Sequence, residues 1–414
     1  MSAPAPTSAA AEAVLTFLES VGRRSEAEFY LRLFLKLPPE SFGIIALGAT
    51  VIRYALDSLV EQLKFLGDLG LHAPVVLGLY DPEQGAASSE RLLKRVQLTG
   101  IEAYPHEMGE EGLADKLRSE LRADRLPVVR FRAIEGQTIE ERLNQLGELA
   151  HELDTRKFVL LRRRGGFKPL APRRLELSPG YFLPTDPTDG GRISIINLRT
   201  DRAGIVAGKT LSKRDYELLA ASERLIDLSQ PTPVLASITS PANLLKELFT
   251  VKGAGTLIKL GSAVSRHRSY AHLDTERLRR LLEASFGRAL DESFFDRTPL
   301  AVYVEEEYRG AAILAHGRPV PYLSKFAVEP EAQGEGMGRD LWQAISRDYP
   351  ALYWRGRSDN PIATWYASVC DGMMRLSEWN VYWRGIDTQQ IPEVIEAARS
   401  YPPDFAPPAL EATR

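Results

Sequence analysis

Arg355 and Arg357 sit two residues apart in LYWRGR, and Lys325 lies in YLSKF on what reads as a neighbouring strand. Side chains alternate along a strand, so both guanidinium groups are expected on one face. Three cations together suit carboxylates: an arginine grips one through two parallel charge-assisted hydrogen bonds, each contributing about 1.5–3 kcal/mol net. Solvated charges on an edge strand are the competing explanation, against which stand the flanking Phe326, Tyr353 and Trp354. A second signal follows YLSKF. Pro330 stops the strand, and Gln333, Gly334, Gly336, Gly338 and Arg339 lead into a helix whose apolar residues recur at Leu341, Trp342 and Ile345. Unpaired N–H groups at a helix N-terminus suit a pyrophosphate, and glycines let the backbone come close to it. A phosphate-binding P-loop would need Gly-Lys-Ser/Thr, whereas Gly338 is followed by Arg339 and Asp340. A plain strand-turn-helix also fits this short motif.

These groups need a scaffold, and hydrophobic periodicity supplies one. Helix and strand patterns alternate from a strand at 42–46 through helix 54–69, strand 74–79, helices 87–98 and 111–122, strand 127–132, helix 137–152 and strand 157–163. Further strands are expected at 192–197 and 233–238, with a helix at 241–248. This is the α/β signature of a central, mostly parallel sheet. Residues 263–272, within SAVSRHRSYAH, lose apolar periodicity and read as a linker. Beyond it come helix 274–286, strands 299–305, 308–315 and 320–328, helix 337–348, strand 351–357, helix 360–368 and strand 378–384. The expected organisation is therefore a disordered 1–11, a first domain over 12–262, a second over 273–405, and a tail at 406–414.

Q-x-x-G-x-G at Gln333, Gly336 and Gly338 resembles the acetyl-CoA loop of the GNAT N-acetyltransferases. With YLSKF, LYWRGRSDNP, WYASVCDGM and WNVYWRG in order over residues 273–405, the chain resembles the vertebrate-type N-acetylglutamate synthases and the bacterial bifunctional synthase-kinases. The resemblance implies a GNAT domain that transfers acetyl from acetyl-CoA to the amine of L-glutamate, in arginine biosynthesis and with no metal. It makes Lys325, Arg355 and Arg357 glutamate ligands, and Asn360 and Tyr366 the catalytic pair. A tyrosine hydroxyl can protonate a departing thiolate, and an asparagine amide can orient the amine. An N-cap before Pro361 and a core aromatic explain the same two residues without catalysis. Backbone N–H groups of Phe326, Ala327 and Val328 are expected to hold the thioester carbonyl, with Gln333, Gly334, Gly336, Gly338 and Arg339 on the coenzyme. Glu329, just before Pro330, reads as an exposed strand end rather than a general base.

The first half resembles the amino-acid kinase domain of the same family, through KFVLLRRRGGF at 157–167, ISIINL at 193–198 and NLLKELFTVKGAGTLI at 243–258. The expected fold is thus α/β, an amino-acid-kinase-like open sheet, degenerate, followed by a GNAT domain. The degeneracy lies in IIALGAT, where Ala46 takes the lysine position and Gly48 alone remains of a Gly-Gly pair, and in VVLGLYDPEQG and VVRFRAIEGQT, which replace a glycine-rich phosphate loop and an Asn-x-x-Asp segment. Phosphoryl transfer depends on clamping the moving phosphate, so kinase activity is not expected. The resemblance implies a homo-oligomer, a tetramer, and an L-arginine effector site at Glu247, Lys252, Gly253 and Gly255. A helix end with a glycine-rich cap explains those four equally well.

Composition limits the alternatives. A net charge of −3 from 52 basic and 55 acidic residues calls for neither nucleic acid nor a membrane as partner. One cysteine, Cys370, excludes an internal disulfide and fits a reducing compartment. No apolar run reaches the about 18 residues of a membrane span, and the Ala/Ser/Pro-rich start carries no Lys or Arg, so a cytoplasmic location is expected.

Overall fold

The computed structural model describes residues 28, 30–32 and 34–405, except 171–175, 179–180, 183–184, 187–188, 231–233, 251–252, 330–336, 359 and 361. Apart from Ser178 and Tyr181, the described residues group into two compact units that divide in sequence between Leu260 and Gly261.

The first unit is built on an eight-stranded sheet. Its strands are β1 (Ile44–Leu47), β2 (Val75–Leu77), β3 (Ala103–Glu107), β4 (Leu126–Arg130), β5 (Lys157–Leu161), β6 (Ile195–Asn197), β7 (Leu235–Thr239) and β8 (Thr256–Lys259), in spatial order β6-β8-β7-β5-β1-β2-β4-β3. Every neighbouring pair is parallel except β7 with β8. IIAL, VVL and FVLL are apolar without a break because a parallel sheet is covered on both faces. Ile44, Ala46, Val76, Phe158 and Leu160 point to one layer, Ile45, Leu47, Val75, Leu77, Val159 and Leu161 to the other. The helices are α1 (Ala49–Tyr54), α2 (Leu56–Asp68), α3 (Gly85–Gln97), α4 (Leu113–Arg122), α5 (Ile139–Glu152), α6 (Arg202–Ala207), α7 (Lys213–Leu228) and α8 (Leu244–Phe249). α4, α5 and α7 cover the first layer; α2, α3 and α8 cover the second. The expected helix 54–69 is in fact two, broken where Ala55 leaves helical geometry at φ −143°. At the start of α5, Thr138 Oγ1 accepts the Glu141 N–H and the Glu141 carboxylate accepts the Thr138 N–H, a reciprocal cap that fixes where the helix begins.

The second unit holds β9 (Val264–His267), β10 (Ala301–Glu305), β11 (Gly310–Ala315), β12 (Tyr322–Val328), β13 (Leu352–Arg357), β14 (Gly372–Arg375) and β15 (Trp379–Arg384), in the order β9-β10-β11-β12-β13-β15-β14. Only β12 and β13 pair in parallel. Its helices are α9 (Thr275–Phe286), α10 (Met337–Asp348), α11 (Ala363–Val369) and α12 (Ile391–Ser400). α9 and α12 cover one face, α10 and α11 the other. The residues expected to form a linker, 263–272, instead contribute β9, paired antiparallel with β10 from Val264↔Glu305 to His267↔Val302. An edge strand has one paired side and one open side, so VSRH needs no apolar alternation to belong to the sheet.

Candidate active site

The parallel pair β12 and β13 is joined through a single register pair, Tyr322↔Tyr353. Beyond it the two strands share no further register pair, so the second half of β12 does not pair with β13. The strand is also bulged: Leu314 faces Leu323 while Ile313 faces Lys325, so Ser324 is the extra residue. A bulge bends its strand and re-aims the side chains after it. α10 starts at the open end. A Cβ on Gly338 would lie 3.6 Å from the Phe326 ring and 3.5 Å from Val328, so the first turn of the helix rests on the end of β12. Arg339 lies half-buried in that turn. Gln333, Gly334 and Gly336 lie outside the described residues.

Lys325, Arg355 and Arg357 all lie on the α9/α12 side of the sheet, and the first two are engaged by groups of the protein itself. Lys325 is buried, and its ammonium donates to the Asp404 carboxylate and to the Ser324 carbonyl and hydroxyl, both at 3.2 Å. The Phe294 and Phe405 rings enclose it at 5.1 and 5.2 Å. Burial pushes the Lys325 ammonium down to about 8, with Asp404 pulling upward and Arg355 and Arg297 adding to the fall. Arg355 donates to the Ala398 carbonyl (2.7 Å) at the end of α12 and stacks 4.4 Å from Trp379. Arg357 is exposed, 6.0 Å from the same indole. Asp404 and Arg297 were not foreseen. Arg297 Nη1 lies 2.6 Å from Asp404 Oδ1, and Ser324 Oγ lies 3.2 Å from Oδ2, so three donors converge on one carboxylate.

The opposite face is aromatic. Tyr366 on α11 is buried among Trp354 (5.7 Å), Trp365 (5.7 Å) and Tyr382 (5.3 Å), and Phe326 stacks on Trp365 at 5.1 Å. A Cβ on Gly356 would lie 3.4 Å from the Tyr366 ring, so the ring packs directly over β13 at this glycine. Burial raises the Tyr366 phenol far above its ordinary value, with Tyr382 adding to the shift, and this keeps the hydroxyl a donor. Asn360 shapes the turn ahead of α11: its Oδ1 accepts from Ile362 N–H at 3.1 Å and its carbonyl from Ala363 N–H at 3.0 Å. The tyrosine and the cations thus occupy opposite faces of the sheet, on either side of the stretch where β12 and β13 do not pair. Ala327 is buried on the cation side, Phe326 and Val328 point to the aromatic side, and Glu329 is tied to Arg309 at 3.3 Å.

In the first unit, Glu247 is buried and its Oε2 accepts the N–H groups of Ala254 (2.7 Å) and Gly255 (2.6 Å). Gly253 turns this loop at φ +62°, where a side chain would be strained and would press on Glu247. The three described effector candidates therefore form one carboxylate-pinned loop; Lys252 lies outside the described residues. At the C-terminal ends of β1, β2 and β5, where a nucleotide would lie in an open α/β sheet, arginines bond to the protein itself. Arg142 donates to the carbonyls of Leu79 (2.8 Å) and Gln137 (3.0 Å), and Arg162 to the Gly165 and Gly166 carbonyls and to Asp215. Ala46 is 1% exposed within β1. Among the described residues no His, Cys, Asp and Glu group could hold a metal ion, and no helix is long and apolar enough to cross a membrane.

A family model described as the N-acetyltransferase of N-acetylglutamate synthase matches residues 265–401. A relative from Xylella fastidiosa named acetylglutamate kinase is 30% identical over 434 residues, covering 91% of this chain and 98% of its own. The mitochondrial N-acetylglutamate synthase of Mus musculus is 29% identical over 416 residues, covering 89% and 75%. Among solved structures, the N-acetylglutamate synthase of Neisseria gonorrhoeae complexed with coenzyme A and N-acetyl-glutamate matches with a TM-score of 0.50 at 15% identity, over 87% of this chain and 97% of that one, a likeness of fold. An alignment that spans almost the whole of two chains, with the acetyltransferase model seated on the second unit, places this chain in the family of vertebrate-type N-acetylglutamate synthases and bacterial synthase-kinases, an amino-acid-kinase fold followed by a GNAT domain.

Proposed function

We propose that the chain is an N-acetylglutamate synthase, an acyltransferase that moves acetyl from acetyl-CoA to the amine of L-glutamate. The observation that carries this reading is the single-pair junction of β12 and β13. It opens a slot between a cation-lined face and an aromatic face, with a helix N-terminus at its mouth. The slot fits an extended thioester, and the first turn of α10 fits the pyrophosphate. Lys325, Arg355 and Arg357 hold the two carboxylates of glutamate. Its neutral amine attacks the thioester carbonyl, whose developing negative charge is stabilised by backbone N–H groups of Phe326–Val328. The attacking nitrogen gives up its extra proton to water; as the tetrahedral state collapses the carbon–sulfur bond breaks, Tyr366 protonates the leaving thiolate, and water returns a proton to the tyrosinate. Asn360, fixed in the turn before α11, orients the amine.

Bifunctionality is the second reading, since the Xylella fastidiosa relative bears a kinase name. It requires a phosphate clamp, and Arg142 and Arg162 at that end of the first sheet are bonded to carbonyls and to Asp215, with Ala46 in place of lysine. With acetyl-CoA and glutamate, free thiol should appear in proportion to enzyme. With ATP and N-acetylglutamate, ADP should stay at background. The reverse pattern would overturn both statements.

The kinase-like unit serves assembly and effector binding in this reading, with a domain division near residues 261–273, a homo-oligomer and a cytoplasmic location. Arginine should bind the full-length protein calorimetrically and shift synthase activity. Binding without effect would mean that arginine does not discriminate between conformations. No heat of binding to the folded protein would remove the effector role of the Glu247 loop.

A further inference from the structure

The stretch after α12 runs back across the cation face of the second unit. Tyr401 packs on Tyr322 with ring centroids 4.1 Å apart. Asp291 N–H donates to the Asp404 carbonyl at 3.0 Å, Phe405 forms a lone bridge with Leu290, and its ring lies 4.9 Å from Phe286. Two cations assigned to glutamate are engaged by this one segment and its root. Lys325 donates to the Asp404 side chain, and Arg355 to the carbonyls of Ala398 and, at 3.4 Å, Pro402. Asp404 sits between Lys325, Arg297 and Ser324 as a bound carboxylate ligand would.

We infer that residues 401–405 form a strap that docks an internal substrate mimic, Asp404, on the cations that glutamate must use. The inference rests on the proposal that Lys325 and Arg355 are glutamate ligands. Uncompensated burial is what makes a broken ion pair costly. Exchange of Asp404 for a glutamate carboxylate avoids that cost, because Lys325 and Arg297 keep an anion in both states. The backbone of the strap is held by one bridge pair and one backbone hydrogen bond rather than a ladder; its other attachments are the Asp404 contacts, the Arg355 bond to the Pro402 carbonyl and the Tyr401 and Phe405 rings. A docked strap also raises the apparent glutamate constant by the inverse of the fraction of enzyme that is open.

The test uses the full chain with Asp404→Asn, which keeps the shape and removes the charge. A strap docked nine-tenths of the time predicts a glutamate KM lowered about tenfold, with the acetyl-CoA KM unchanged. A glutamate KM that is unchanged or raised, while Lys325→Gln and Arg355→Ala each raise it, would leave the substrate assignment standing and overturn the mimic. An unchanged glutamate KM in folded Lys325→Gln and Arg355→Ala variants would remove the ligand assignment, and the mimic with it. Hydrogen exchange on the unmodified enzyme keeps the idea testable if the Asn variant fails to fold. Saturating N-acetylglutamate should speed amide exchange in the 398–405 peptide, whereas slower or unchanged exchange would show the strap staying in place.

Discussion

Replacing Tyr366 by Phe should lower kcat by about ten- to a thousand-fold and leave both KM values nearly unchanged, because the ring stays and only the proton donor goes. Trp354, Trp365 and Tyr382 surround the ring, so Phe fills the same space without a cavity and the variant should melt close to the parent. A tyrosine pushed this high by burial is protonated throughout the working pH range. Its loss should therefore depress the whole pH–rate profile rather than move one limb. Parental kcat in a folded Tyr366→Phe enzyme would return the residue to the aromatic core as packing alone.

The second large effect belongs to Lys325. Lys325→Gln should raise the glutamate KM by roughly thirtyfold or more, the scale expected when one partner of a buried charge pair is truncated, about 2–5 kcal/mol. The acetyl-CoA KM should hold. The pH dependence has a definite sign. With its ammonium lowered to about 8, Lys325 is a cation below that pH and loses its charge as the pH rises through it. Carboxylate binding should accordingly weaken above about 8. N-acetylglutamate is the cleaner probe, because it carries both carboxylates and no titrating amine. Its Kd should rise through this range in the parent and stay flat in Lys325→Arg. A flat parental profile would mean that Lys325 does not meet the ligand.

The strands with apolar runs were legible because burial on both faces leaves one pattern open to them: IIAL, VVL and FVLL became β1, β2 and β5. AYPHE and VSRH escaped notice for the opposite reason. β3 and β9 are sheet edges, where Pro105, His106 and Arg266 cost little because one side of the strand needs no partner. α7 carried a usable signal, Ser212 as N-cap ahead of Leu219, Leu225 and Ile226, that a helical template would have caught. The site divides in the same way. Lys325 with Arg355, and Asn360 with Tyr366, are neighbours in motif and in strand order, so local periodicity brings them near. Asp404 is 79 residues from Lys325, in YPPDF, where nothing local marks a buried carboxylate; tertiary packing alone supplies the pairing.

Acceptor selectivity tests the account at its centre. Thiol release from saturating acetyl-CoA would be followed with L-glutamate and with L-glutamine, which differ only in the side-chain carboxylate. A face that holds both carboxylates of the acceptor predicts kcat/KM at least about thirtyfold higher for glutamate, since one lost charge-assisted contact at a buried site is worth about 2–5 kcal/mol. Equal rates for the two acceptors, or no glutamate-dependent thiol at all, would contradict it.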